Sequence, residues 1–190
     1  VLVTRKKNGG KGKALADGVR KADELGLTHV LQIDSDGQHD AERVAHFVEV
    51  SKKNPDAIIC AYPEYDESAP KHRVNGRTIA NAWIHTVTLS KQIKDGMIGF
   101  RIYPVAPYVK LLNSHAIIDA RMGYDIDILV RLFWKNVPVI CESVKVTYPV
   151  DGVSNFRLVR DNARISLTYA RLFLGMIVRL PILIFRKIKG

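Results

Sequence analysis

An apolar stretch, Thr28-His29-Val30-Leu31-Gln32-Ile33, is cut short by Asp34-Ser35-Asp36-Gly37. Turn-forming residues directly after a strand-like run end the strand and leave two carboxylates one residue apart at its tip. Before it, Lys13 to Leu25 has helical spacing, with Leu15, Val19 and Ala22 on one face and Gly26 closing it. After it, Asp40 is placed to cap a helix whose apolar face is Val44, Phe47 and Val48 and which Asn54-Pro55 ends. Asp56 to Ala61 reads as a second buried strand. Helix, strand, helix, strand at this spacing predicts an α/β chain built from βα units around a mainly parallel sheet.

Further on, Tyr62 to Pro70 reads as an acidic, proline-bearing loop. Arg73 to Lys91 reads as a long helix, with Ile79, Trp83 and Val87 at four-residue intervals. A strand-like piece lies around Gly99 to Tyr103. Tyr124 to Trp134 is a predicted helix with Ile128, Leu129 and Leu132 inward. Val137 to Tyr148 alternates near its end, which suits an edge or an antiparallel strand. From Phe156 the pattern is helical up to Pro181. There is no internal repeat and no low-complexity tract.

At 190 residues the chain is long enough for one domain with a real core. Its 47% hydrophobic and 25% charged residues exclude wholesale disorder. Two cysteines cannot make a disulfide scaffold; Cys60 and Cys141 follow apolar runs and read as buried strand thiols in a reducing compartment. No signal peptide is evident, and no uninterrupted apolar run reaches the ~18 residues of a spanning helix. Val1-Leu2-Val3-Thr4 reads as the end of a strand entered from upstream, so a fragment of something longer is expected. The formal net charge is +10, and most of it lies from Arg157 onward, where eight Lys/Arg face one acid, Asp161. Basic residues set among long aliphatics rather than stacking aromatics suit an anionic membrane surface and not nucleic acid.

The carboxylate pair carries the chemistry. Alternate residues of a strand share a face, so Asp34 and Asp36 can converge at the carboxyl edge of the sheet, where open α/β sheets bind ligands. Converging carboxylates repel unless a proton or a divalent cation sits between them. Oxygen ligands suit Mg²⁺ or Mn²⁺, which also bind substrate phosphates. The plain structural alternative is an acidic turn capping the next helix. A calcium loop fails because Gly37 falls at its fourth rather than its sixth position. A haloacid dehalogenase-like phosphatase fits poorly, because Gln38 is wrong for that motif and no Gly-Asp-x-x-x-Asp follows.

Asn8-Gly9-Gly10-Lys11-Gly12-Lys13-Ala14-Leu15, followed by Val30-Leu31-Gln32-Ile33-Asp34-Ser35-Asp36-Gly37-Gln38-His39, resembles the core of family 2 glycosyltransferases, nearest the dolichyl- or polyprenyl-phosphate sugar synthases. Lys94-Asp95-Gly96-Met97-Ile98-Gly99-Phe100-Arg101 continues the resemblance, with Ile98 where the family has Ser. Gly123-Tyr124-Asp125-Ile126-Asp127 resembles the family's late acidic motif, and Asp151-Gly152-Val153-Ser154 its region beside the lipid phosphate. The motifs cover nearly the whole chain in the family's order. The resemblance implies a GT-A fold, Rossmann-like, with residues 1–155 as a core lacking its nucleobase-binding N-terminal part. Residues 156–190 would form a basic amphipathic helical tail.

By the same resemblance, Asp34, Asp36 and Gln38 would hold the metal, and Lys11, Lys13, Asp34 and Asp36 the diphosphate of a nucleotide-sugar donor. For the two lysines a solvated basic turn stands as the alternative. Asp127, Asp125 and Asp95 are the candidate catalytic acids; Asp127 is preferred as base because Asp125 could cap its helix, and Asp95 could be a turn aspartate. Arg101, Arg73 and Ser154 are the candidates for an acceptor phosphate, with Arg77 and Arg157 as further basic residues. Guanidinium suits that task because it binds phosphate bidentately. The implied activity is an inverting, metal-dependent hexosyl transfer to a lipid-linked or polyprenyl-phosphate acceptor. It would belong to cell-envelope synthesis on the cytoplasmic membrane face, with the tail lying on the leaflet. Two other classes compete: a phosphohydrolase with Asp34 as nucleophile, and a non-catalytic module binding the membrane surface.

Overall fold

The computed structural model describes residues 1–34, 42–65, 71–146 and 158–189. Its elements run α1 (Lys11–Glu24), β1 (His29–Gln32), α2 (Arg43–Lys53), β2 (Ile58–Tyr65), α3 (Lys71–Thr88), β3 (Arg101–Pro104), α4 (Val105–Leu112), α5 (Tyr124–Trp134), β4 (Val139–Val146) and α6 (Leu158–Lys189). The four strands form one sheet in the order β1-β3-β2-β4. β2 pairs parallel with β4, while β3 runs antiparallel to both β1 and β2. Three strands therefore share one direction and β3 opposes them. β4 is an edge strand, as its alternation suggests, but it runs parallel to its neighbour.

Alternate residues of the strands feed two cores. On one face Phe47 of α2 stacks on Phe100, with ring centroids 4.4 Å apart, above Ile59, Ala61, Ile102, Val144 and Val146. Ile98, which stands where the resembled family has Ser, is buried in this cluster. The other, larger core gathers Ile58, Cys60 and Tyr103 from the sheet with α3, α5 and α6. Burial pushes the Cys60 thiol up to about 12, so it behaves as a small apolar side chain. Cys141 is less deeply placed and donates its S–H to the Gln92 carbonyl at 3.3 Å.

Four departures from the sequence reading have physical causes. β2 continues through Pro63 to Tyr65, because its pairing with β3 ends at Cys60 and a proline is tolerated on the open side. In α3 the buried face is Ala80, Ile84 and Val87, whereas Ile79 and Trp83 are 64% and 43% exposed. α4 follows Pro104 directly and buries Val105, Tyr108 and Leu111; Val105, Tyr108, Val109 and Leu112 carry helical spacing, and Pro107 is tolerated in a first helical turn. α6 runs through Pro181 because tertiary contacts on both sides hold it. Leu183 is buried beyond the proline, and Arg186 donates to the carbonyls of Phe133 and Trp134, which end α5. Arg179 lies over the Trp134 ring, 4.7 Å from its centroid. The predicted cap at Asp40 lies outside the described residues.

Candidate functional site

The C-terminal end of β1 and the N-terminal ends of α1, β3 and α5 meet at one sheet edge. Glycines allow that approach. Gly10 opens α1 at φ 91°, and a Cβ there would run into the Ala120 carbonyl. The Gly12 N–H donates to that same carbonyl at 3.0 Å, and a Cβ on Gly12 would collide with the Tyr124 ring. The Tyr124 hydroxyl in turn bonds that of Tyr108 at 2.9 Å. The register that sets Gln32 opposite Arg101 brings Gly99 against the carboxylate of Asp34, leaving no room for a side chain.

At the centre stands Lys11. Its Nζ lies 2.6 Å from Asp34 Oδ1 and 2.7 Å from Asp125 Oδ2. Burial by itself would lower the Lys11 pKa, but Asp125 and then Asp34 more than reverse this and hold it above the usual lysine range. The other oxygen of Asp125 accepts from Gln32 Nε2 at 2.7 Å, and its backbone carbonyl accepts from Arg101 Nη1 at 2.8 Å. Asp125 is thus fixed on three sides, while the side chains of Lys11 and Asp34 remain about a third exposed. Gln32 is a contributor that the sequence reading missed; its one signal was a polar residue at the end of a mostly apolar run, and the structure buries it.

The other expected site residues are placed differently. Asp127, in the same helical turn as Asp125, is fully buried and ion-paired to Arg131 Nε, while its Oδ2 accepts from the Asp119 N–H at 2.8 Å. Burial raises its pKa against the opposing pull of Arg131. The structure does not bring Asp127, preferred above as base, to Lys11 and Asp34; it brings Asp125 there, because positions two apart in a helix face nearly opposite ways. Arg101, a candidate for an acceptor phosphate, is fully buried, donating to Tyr103 Oη at 3.0 Å and to the Asp125 carbonyl. Its place is behind the carboxylate, with Nε and Nη2 unpartnered among the described residues. Asp95 is also buried. Its Oδ1 accepts from the N–H groups of Met97 and Ile98 at 2.8 Å each, and its Oδ2 pairs with Arg77 at 3.0 Å. That arrangement shapes the loop ending at Gly99. Lys13 is exposed on another side of α1. The backbone of Arg73 lies in the first turn of α3. Asp36, Gln38, His39, Ser154 and Arg157 lie outside the described residues.

A divalent cation fits the chemistry of this cluster. Asp34 offers a hard oxygen donor at the sheet edge, and the ammonium between Asp34 and Asp125 marks a place where the chain already stabilises positive charge. Among the described residues no group of three or more His, Cys, Asp or Glu forms a complete metal cage.

Comparison with known proteins agrees with this architecture. Among solved structures, glucosyl-3-phosphoglycerate synthase from Mycobacterium tuberculosis in complex with phosphoglyceric acid superposes with a TM-score of 0.63 at 14% identity, covering 90% of this chain and 56% of that one. The same enzyme with Mn²⁺ and uridine-diphosphate-glucose gives 0.59 at 14% identity, over 93% and 56%. A structure described only as a mycobacterial protein gives 0.57 at 14%, over 94% and 52%. The chain thus spans just over half the length of these neighbours, and at this identity they establish the GT-A fold. No curated protein matches the sequence. The profile described as "Glycosyl transferase family 2" matches residues 1–115, more than half of the chain, and the protein belongs to that family.

Proposed function

We propose that this chain holds the donor diphosphate and metal of a transferase that moves a sugar, with inversion, from a nucleotide-sugar to a polyprenyl-phosphate or other lipid-linked acceptor. The observation that carries the donor half is the Lys11 ammonium held between Asp34 and Asp125 at the carboxyl edge of the sheet. Family membership favours transfer over the phosphohydrolase alternative. The structural neighbour bound to Mn²⁺ and uridine-diphosphate-glucose supports the same donor chemistry.

Asp34, with Asp36 and Gln38, would hold Mg²⁺ or Mn²⁺, and the bound cation supplies charge neutralisation for the departing nucleoside diphosphate. Lys11 reaches the diphosphate beside the N–H groups that open α1. Gln32 and Arg101 keep Asp125 in place, so that it can hold Lys11 or take the proton of an acceptor hydroxyl. An acceptor that is itself a phosphate arrives ionised and needs no base. Arg73 and Ser154 remain the proposed contacts for that phosphate.

The lipid half rests on α6. Its outer face exposes Leu174, Ile177, Val178, Ile182, Phe185 and Ile188, and Ile79 and Trp83 of α3 are exposed as well. Trp83 stacks on Tyr169 and meets Phe173 edge-on, which joins the two helices into one apolar surface. We read residues 156–190 as the segment that rests on the cytoplasmic leaflet, with Arg160 and Lys187 exposed toward anionic headgroups. A second reading, a small phosphorylated acceptor, is favoured by neighbours crystallised with phosphoglyceric acid and with glycerol 3-phosphate.

Incubation with radiolabelled UDP- and GDP-sugars, Mn²⁺ and either polyprenyl phosphate in anionic vesicles or glycerol 3-phosphate separates these readings. Label entering the organic phase supports the lipid acceptor. Label only in a water-soluble product selects the small phosphate. No transfer to either, with free phosphate released from simple phosphate esters, would restore the hydrolase.

A further inference from the structure

We propose that Lys11 is an internal counter-cation: it occupies the position beside Asp34 that a divalent cation needs, and it leaves Asp34 for the donor's diphosphate when that cation enters. The inference rests on the reading of Asp34 as a metal ligand and goes beyond it, because it makes metal and diphosphate binding interdependent.

The geometry gives Lys11 two anchors of unequal character. Asp125 is largely buried and tied to Gln32 and Arg101, so it cannot follow the ammonium outward. Asp34 has a side chain 30% exposed at the end of β1. Gly99 behind it leaves no space for the carboxylate to retreat. A metal approaching Asp34 from the open side therefore meets an oxygen already engaged by an ammonium at 2.6 Å. Two cations cannot share that oxygen at contact distance without strong repulsion. Lys11, at the first position of α1 and 32% exposed, has a flexible stem and can pivot about its contact with Asp125. The diphosphate supplies the anion that Lys11 gives up in Asp34. Metal alone must then displace the lysine without compensation, whereas metal arriving with a diphosphate finds the displaced ammonium a new partner.

The test is Mn²⁺ titration, followed by the electron paramagnetic resonance of free Mn²⁺, in wild type, Lys11→Met and Lys11→Arg. Lys11→Met is expected to bind Mn²⁺ alone about tenfold more tightly than wild type, a step of the size that partly buried charge pairs control. Lys11→Arg keeps the cation and gains nothing. A merely structural lysine would not yield tighter metal binding when removed. In case Lys11→Met does not fold, amine labelling of the wild-type protein reads the same event. Saturating Mn²⁺ should raise the labelling of Lys11 severalfold while that of Lys21 stays constant. Equal or weaker Mn²⁺ binding in a folded Lys11→Met, or unchanged Lys11 labelling at saturation, overturns the exchange and leaves Asp34 as a ligand. Absence of Mn²⁺ binding in every form overturns the exchange and the metal reading together.

Discussion

Asp125 and Asp127 stand in the same first turn of α5 and face opposite ways, Asp125 toward Lys11 and Gln32, Asp127 toward Arg131 and the Asp119 N–H. The turn thus carries one carboxylate at the sheet edge and one locked in the interior. Asp125→Asn is expected to lower sugar transfer by about a hundredfold, the scale of a lost site carboxylate, with little change in melting. Asp127→Asn should act on folding instead, costing about 2 kcal/mol through its lost partners while leaving the site's nucleotide affinity intact. Paired denaturant melts and transfer assays on the two variants check the assignment; equal losses of activity in both would contradict it.

The buried pair also predicts a pH dependence. Burial already lifts the Asp127 pKa above the ordinary value, and Arg131, with a smaller contribution from Arg171, opposes that lift. Arg131→Met removes the main opposing charge and leaves a buried carboxylate with only the Asp119 N–H and Arg171 to offset its burial, which costs about 3 kcal/mol at neutral pH. The folded state of this variant then holds the Asp127 proton more tightly than the unfolded chain does. Its stability is fullest below the unfolded pKa and is lost as pH rises through the raised folded value. Urea melts from pH 4.5 to 7.5 should therefore show the gap from wild type narrowing toward acid. A gap that is constant across this range would contradict it.

Gly99 presses on the site from the β3 side. A Cβ added there would collide with the Asp34 carboxylate, and because Asp34 is partly exposed it is the side chain that gives way. Gly99→Ala is expected to weaken Mn²⁺ binding about tenfold, as changes behind a metal ligand do, with less than about 1 kcal/mol of stability lost. Mn²⁺ titration beside a thermal melt measures both. Unchanged affinity would show that Asp34 does not depend on this contact.

Trp134 is where α5 receives α6. Its Nε1 donates to the Val87 carbonyl at 2.9 Å, Arg179 covers its ring, and a Cβ on Gly175 would press against its edge. Trp134→Ala should cost about 3–5 kcal/mol and release α6 first, so that proteolysis cuts within 158–189 before the sheet unfolds. Cleavage beginning elsewhere would contradict that order.

The parts of the fold that were legible in the sequence are those that local pattern determines. β1, α1, and α5 with Ile128, Leu129 and Leu132 inward all follow from apolar spacing and punctuation, while the turn read at Ser35-Asp36-Gly37 lies outside the described residues. The antiparallel course of β3 was not legible, since strand direction depends on where the chain returns rather than on which residues it contains. The choice between Asp125 and Asp127 was hidden for a different reason. Nine of the eleven residues of α5 are buried, so no polar stripe marks the face turned to the site. The burial of Arg101, read as a candidate for an acceptor phosphate, was not legible either, because nothing local announces that Asp125 and Tyr103 will receive it inside. Arg179 and Arg186, counted among the basic residues of the tail, also hold α6 to the end of α5, which their charge alone does not announce.

The central claim, that Asp34 and Asp125 frame a metal-dependent diphosphate site, is tested most directly by calorimetric titration of the protein with UDP and GDP, with and without Mn²⁺. Binding is expected to require Mn²⁺ for at least one nucleotide and to be lost in Asp34→Asn and in Asp125→Asn. Nucleotide binding that is indifferent to Mn²⁺ and to both substitutions, or no binding under any of these conditions, would contradict it.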